Sequence, residues 1–184
     1  MLKIWGRPNS ICTQRVLWAC GEADVPFELE LASATMGADG HVSRGGQAYG
    51  HVDTSKYRSL NPNGTIPTID DNGYVLWDSV AIVSYVSAKY APAKLFPLLV
   101  DDAARALQWM CWTNEHLEPL LHTLVMECVR LAPEQRSAEA RVAACSAVIA
   151  KLEVLDQILA GQRYLTGDEF CMGDIPAGAT VYRW

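Results

Sequence analysis

Two strand-to-helix junctions and one proline carry the chemical interest of this 184-residue chain. At the first, a short apolar run from Leu2 to Trp5 feeds a Gly6-Arg-Pro-Asn9 turn, and a helical pattern with Val16, Leu17 and Cys20 begins at once. Asn9 and Ser10 are residue types whose side-chain oxygens accept from the open N–H groups of a helix start. Ser10 therefore reads first as a cap, and it also stands where a helix N-terminus favours an anion. At the second junction, Asp78-Ser79 sits between Tyr74-Val-Leu-Trp77 and the apolar segment Val80 to Tyr90. Between the junctions, Thr65-Ile-Pro-Thr-Ile69 reads as a strand except for Pro67. Proline cannot donate to a ladder, so Pro67 marks an edge, a strand start, or a cis bond that exposes backbone to a ligand. His41, Arg44, His51 and Lys56 add cations in or beside an irregular stretch and read as surface charges that a ligand can use. Cys12 lies two residues past Ser10; on a helix that is a rotation of about 200°, so it faces elsewhere.

The elements that must hold these residues follow from periodicity. Val25 to Leu31 alternates apolar and acidic residues, a strand with Phe27, Leu29 and Leu31 on one face. Strand, helix and strand make a βαβ unit, which requires parallel pairing. Residues 33–56 are rich in glycine and small polar residues without a period, a loop of a length that is usually functional or mobile. Asp70-Asp-Asn-Gly73 joins the Pro67 strand to Tyr74–Trp77 as a hairpin. The order is β-α-β, loop and short helix, β-β-α: an α/β domain over residues 1–90. Residues 91–99, with Pro92 and Pro97, read as a linker, and residues 100–184 as an all-α domain. There Leu107, Met110, Asn114, Leu117, Leu121, Leu124, Cys128 and Leu131 mark one face of a long helix kinked at Pro119. Val142, Cys145, Ile149, Leu152, Leu155 and Leu159 mark a second helix ending at Gly161, the start of a bundle.

Composition narrows the partners. Net charge is −6 and Lys and Arg form no dense cluster, which argues against nucleic acid and anionic membranes. The N-terminus lacks the apolar core of a signal peptide, and no apolar stretch is long enough to span a bilayer. The six cysteines are widely spaced, with neither metal-ligand pairs nor a compact disulfide framework. A soluble, reducing, cytoplasmic setting and no metal are the expectation.

With the pieces in this order, the chain resembles a cytosolic glutathione transferase of the serine type, theta- and phi-like. The resemblance rests on Gly6-x-Pro8-x-Ser10 with Arg15-Val-Leu17, on Leu60-Asn-Pro-x-Gly-x-Ile-Pro67, on Asp78-Ser-x-Ala-Ile82, and on Tyr164-Leu-x-Gly-Asp168 leading to Asp174-Ile175. It implies a thioredoxin-like N-terminal domain, an all-helical C-terminal domain, a homodimer, and detoxification of small hydrophobic electrophiles with glutathione as co-substrate. It implies further that Pro67 is cis, with the Ile66 backbone pairing with the cysteinyl part of glutathione. Asp78 would meet the ammonium of the γ-glutamyl group, and Ser79 with the helix N-terminus its carboxylate. Ser10 then gains a mechanism. A thiol of pKa about 8.5 is mostly protonated at neutral pH, and a hydroxyl donating to sulfur favours the thiolate, which is the nucleophile. Ser10 attacks nothing itself. The electrophile pocket would lie between the domains, with Trp109, Trp112, Thr113 and His116 as its candidates, and Arg44, His51 or Lys56 would bind the glycine carboxylate.

Three departures from the family pattern matter. Asp78 stands where a longer Glu is usual. Cys171 and Gly173 replace the hydroxyl cap and the alanine of a buried helix start; loss of such a cap costs about 1 kcal/mol and an interior glycine up to as much again. The resemblance also implies more helix beyond Trp184, so the helical domain is expected to be incomplete, with exposed apolar surface and lowered stability. Glutathione conjugation, with or without peroxidase activity, is the leading reading. A glutathione-dependent disulfide-bond reductase and a non-enzymatic glutathione-binding protein are the alternatives.

Overall fold

A computed structural model describes residues 1–33 and 50–184, the side chains of residues 50 and 51 excepted. The chain divides into two compact units, Met1–Pro92 and Ala93–Trp184. In the first, β1 (Leu2–Gly6), α1 (Ile11–Glu22), β2 (Phe27–Ser33), β3 (Gly50–His51), α2 (Ser55–Arg58), β4 (Thr68–Asp71), β5 (Tyr74–Trp77) and α3 (Ser79–Tyr90) follow one another. The strands form a five-stranded mixed sheet in the order β3-β2-β1-β4-β5.

β1 lies at its centre: Leu2 and Ile4 are buried on one side, and Lys3 and Trp5 alternate with them. It runs parallel to β2, with Ile4 opposite Leu29, and antiparallel to β4, with Ile4 opposite Ile69. α1 buries Val16, Ala19 and Cys20, and α3 buries Ile82, Val83 and Val86. The Trp5 side carries a smaller cluster in which Ala32, Val52 and Tyr57 pack with Trp5 and Ile66. The β4–β5 hairpin turns on Asn72 at φ 55° and Gly73 at φ 95°, the left-handed pair that a two-residue turn between twisted strands requires.

The irregular stretch 33–56 carries more structure at its C-terminal end than its composition suggests. Gly50–His51 adds a short parallel strand beside Ala32 and Ser33, and Thr54 caps α2 by accepting from Tyr57 N–H at 3.2 Å. His41 and Arg44 lie outside the described residues.

The second unit is helical: α4 (Val100–Trp112), α5 (Glu118–Val125), α6 (Ala138–Leu159) and α7 (Asp174–Val181). The expected long helix is broken twice by π-helical turns, Thr113–Leu117 before α5 and Met126–Arg130 after it. Pro119 stands at the start of α5. It has no N–H to bond the residue 115 carbonyl and its ring crowds that turn, so the chain widens there instead of kinking sharply. An extra residue in a turn rotates everything downstream by about 100°. The buried face is accordingly Ala106, Met110, Thr113, Leu117 and Leu121, while Leu107 is 45% exposed. The α6 stripe also differs from expectation. Ala144, Val148 and Leu155 are buried, whereas Val142, Ile149 and Leu159 are exposed. Alanines at 140, 143, 144, 147 and 150 leave the apolar period of that helix ambiguous, and packing on α5 selects the face.

Gly173 is likewise no mere weakness. A Cβ there would stand 2.9 Å from Ala106 Cα and 3.1 Å from Ala106 O, so glycine is what lets α4 approach the start of α7. The cap survives in altered form as well. Asp174 accepts the Cys171 N–H at 3.0 Å and the Leu165 N–H at 2.8 Å, while the Cys171 sulfur accepts the Gly173 N–H at 3.4 Å. This is a capping box with sulfur in place of a hydroxyl. Burial pushes the Asp174 carboxyl up even so.

Candidate functional site

The first junction is tight at its base. A Cβ on Gly6 would come within 2.6 Å of Thr13 Oγ1 and 2.7 Å of its Cγ2, so glycine is required for α1 to start this close to β1. Thr13 is fully buried and accepts the Arg7 N–H, and Ser10 N–H bonds Arg7 O at 3.0 Å to close the turn. Ser10 occupies the N-cap position of α1 with φ −90° and ψ 126°, and its side chain makes no capping hydrogen bond. Its hydroxyl therefore sits at a helix N-terminus without being committed to the helix. That distinguishes it from an ordinary cap, whose oxygen accepts from the second or third N–H. Cys12 is half-buried in the first turn. Burial pushes the Cys20 thiol up to about 12.

The second strand of the site is set by side chains that sequence reasoning passed over. The Ile66–Pro67 peptide is cis. Asn61, fully buried, donates to Thr65 O and Thr68 Oγ1, each at 3.0 Å, and accepts the Asn63 N–H. The Tyr57 hydroxyl reaches the same two residues, donating to Thr65 O at 2.7 Å. Together they frame the turn that presents Ile66, half-buried, and Pro67, buried. The only sequence signal for Asn61 was its place in the Asn-Pro-Asn-Gly turn.

At the α3 junction Asp78 adopts φ 75° and ψ 125°, a positive-φ backbone uncommon outside glycine. Its Oδ1 accepts the N–H groups of Val80 at 2.9 Å and Ala81 at 3.1 Å. From sequence alone these helix donors and the Asp78 carboxylate are both open to a ligand. The structure turns part of each toward the other, because an aspartate arm is short enough to fold back on its own helix. Ser79 is buried, and its Oγ accepts from Arg15 Nη1 at 3.5 Å. Behind the junction, Asp71 ties α3 to the hairpin. Its Oδ2 accepts from Lys89 and Tyr90, each at 2.6 Å, and from Tyr85 at 2.8 Å. Burial alone would raise this carboxyl, but the bonds from Lys89, Tyr90 and Tyr85 outweigh it and hold it down to about 2.

The remaining candidates are spread more widely. Lys56 lines a cleft of about 140 Å³ with Lys3, Trp5, Glu30 and Tyr57, where Lys3 and Glu30 form an ion pair. The side chain of His51 lies outside the described residues. In the helical unit, Trp109 and Trp112 meet edge to face at 5.4 Å and pack against the cluster of Leu117, Leu121, Val148 and Leu155. His116 is exposed, with its ring 6.0 Å from that of Trp112. Thr113 is fully buried and its hydroxyl donates to Trp109 O at 2.9 Å. Among the described residues no group of three His, Cys, Asp or Glu could hold a metal ion, and no helix is long and apolar enough to cross a membrane.

A mixed sheet built from a βαβ unit and a β-hairpin, with a cis-proline loop beside two helix N-termini and a helical unit after it, defines the thioredoxin-like two-domain class. The chain belongs to the glutathione S-transferase family. The family model for the glutathione S-transferase N-terminal domain matches residues 9–89. Over 99% of its length the chain is 33% identical to glutathione S-transferase GstB of Escherichia coli, of which it covers 82%. It is 31% identical to glutathione S-transferase hmp2 of Hypomyces subiculosus, over 95% of this chain and 78% of that one. Among solved structures it is similar to the theta class glutathione S-transferase of Xanthomonas axonopodis pv. citri with glutathione bound. There the TM-score is 0.87 at 37% identity, over 100% of this chain and 82% of that one.

Proposed function

We propose that this chain is a glutathione transferase that holds glutathione along Ile66, Pro67, Asp78 and Ser79 and keeps its sulfur as a thiolate with Ser10. The thiolate then attacks a small hydrophobic electrophile. The observation that carries the reading is the Ser10 hydroxyl, placed at the α1 N-terminus with no capping bond of its own. A hydroxyl donor and the positive end of a helix both favour the anion. Lowering a thiol pKa by one unit takes about 1.4 kcal/mol, within the reach of one hydrogen bond to a charged group. Family membership and the glutathione bound in the theta class relative support the co-substrate. Trp112 and His116 are the residues of the helical unit assigned to the electrophile, with Trp109 behind them. The working unit is a homodimer in the cytoplasm, on the strength of the family alone.

Glutathione binding measured by calorimetry, with conjugation of a chlorodinitrobenzene-type substrate, tests this for wild type and Ser10→Ala. The variant should lose about tenfold in kcat/KM near pH 7, and its pH–rate profile should move up by about one unit, because the thiol returns toward 8.5. Unchanged conjugation in Ser10→Ala would remove Ser10 from the mechanism.

A further inference from the structure

Arg15 belongs to α1 and is 1% exposed, yet its guanidinium reaches the start of α3, where Nη1 donates to Ser79 Oγ at 3.5 Å. A guanidinium carries donors only, so Ser79 is the acceptor in that contact and its own hydrogen must point elsewhere. Ser79 is thereby oriented as a donor. Asp78 meanwhile takes the N–H groups of Val80 and Ala81 on Oδ1. It brings negative charge to the helix start, which offsets the attraction of the dipole for a second anion. A carboxylate docking on Ser79 thus needs a cation close behind the hydroxyl. Arg15 supplies one, a guanidinium held against the Ser79 oxygen.

We propose that Arg15 is a positioning residue for the α-carboxylate of the γ-glutamyl group, acting through Ser79. It aims the Ser79 hydroxyl and provides the positive charge that Asp78 cancels at the α3 N-terminus. The proposal rests on glutathione being the ligand of this junction, and it assigns α1 a part at the γ-glutamyl end of that ligand as well as at its thiol.

The test titrates glutathione, and the analogue γ-aminobutyryl-cysteinyl-glycine that lacks the α-carboxylate, into wild type, Arg15→Gln and Arg15→Lys, with unfolding followed alongside. Arg15→Gln should bind glutathione about tenfold more weakly while its affinity for the analogue stays within about twofold, and Arg15→Lys should keep most of the preference for glutathione. Equal losses for both ligands, or a full preference in Arg15→Gln, overturn the proposal. If Arg15→Gln does not fold, the wild-type protein decides: with isotope-labelled arginine, the Arg15 guanidinium resonance shifts on adding glutathione and not on adding the analogue. The same response to both ligands, or no response, overturns the proposal. Wild type that binds no glutathione removes the functional reading itself, and this proposal with it.

Discussion

Asp78 joins two roles that pull against each other. Its carboxylate caps α3 through Val80 and Ala81, and its backbone holds φ 75° at a non-glycine position. Asp78→Ala keeps the unfavourable backbone and loses the cap, so it should destabilise the chain by about 1 kcal/mol. Asp78→Gly loses the same cap but accepts the backbone freely, and should cost only a few tenths. Urea unfolding of both variants checks the difference, and equal losses would show that the backbone conformation carries no cost. Both should bind glutathione more weakly than wild type, which separates the ligand role from the structural one. Ser10 poses the same question in reverse: its side chain makes no capping bond, so Ser10→Ala should change activity far more than stability.

Between elements, two contacts carry testable weight. The Asp71 carboxylate fastens α3 to the β4–β5 hairpin through Lys89, Tyr85 and Tyr90. Folding lowers its pKa to about 2. Its stabilisation is therefore complete above the unfolded carboxylate value near 4 and disappears as pH falls through 2, a loss on the order of 2 kcal/mol. Acid titration of unfolding free energy should show that loss in wild type and not in Asp71→Asn. The second contact is the approach of α4 to the start of α7. Gly173→Ala drives a methyl into the Ala106 backbone and should destabilise by about 1–3 kcal/mol, in spite of the better helix propensity of alanine. Cys171→Ser, by contrast, replaces a weak sulfur acceptor with a hydroxyl and should be neutral or stabilising by up to about 1 kcal/mol. Thermal melts of the two variants should move in opposite directions or differ clearly in size.

For the whole molecule, the six cysteines form a ready map of which parts open under native conditions. Cys111 and Cys128 are exposed, Cys12 and Cys145 intermediate, and Cys20 and Cys171 buried. A disulfide reagent should modify Cys111 and Cys128 first and Cys12 and Cys145 more slowly. Cys20, whose thiol burial pushes up to about 12, and Cys171 should react only with denaturant. Fast labelling of Cys20 would mean that the first unit opens locally around α1 without global unfolding.

By themselves the amino acids determined the element order of the first unit apart from the short β3, the parallel β1–β2 pair, the Asn72-Gly73 hairpin and the two polar junctions. Each of these is written in contiguous residues whose period or turn chemistry has a single solution. Family resemblance then implies a common ligand for Ser10, Pro67 and Asp78-Ser79. What the sequence could not carry were choices made between distant segments. Arg15 meets Ser79 across 64 positions, and Asn61 and Tyr57 converge on Thr65 and Thr68 only once α2 has docked. Gly173 looked like a flaw in a helix start until Ala106 was found against it. The α6 face was hidden among alanines that pattern cannot rank, and the π-turns before and after α5 shifted a period that the sequence alone runs straight through. A local pattern specifies what a segment wants to be; which side it buries, and which oxygen its donors meet, is decided by the neighbour that tertiary packing brings to it.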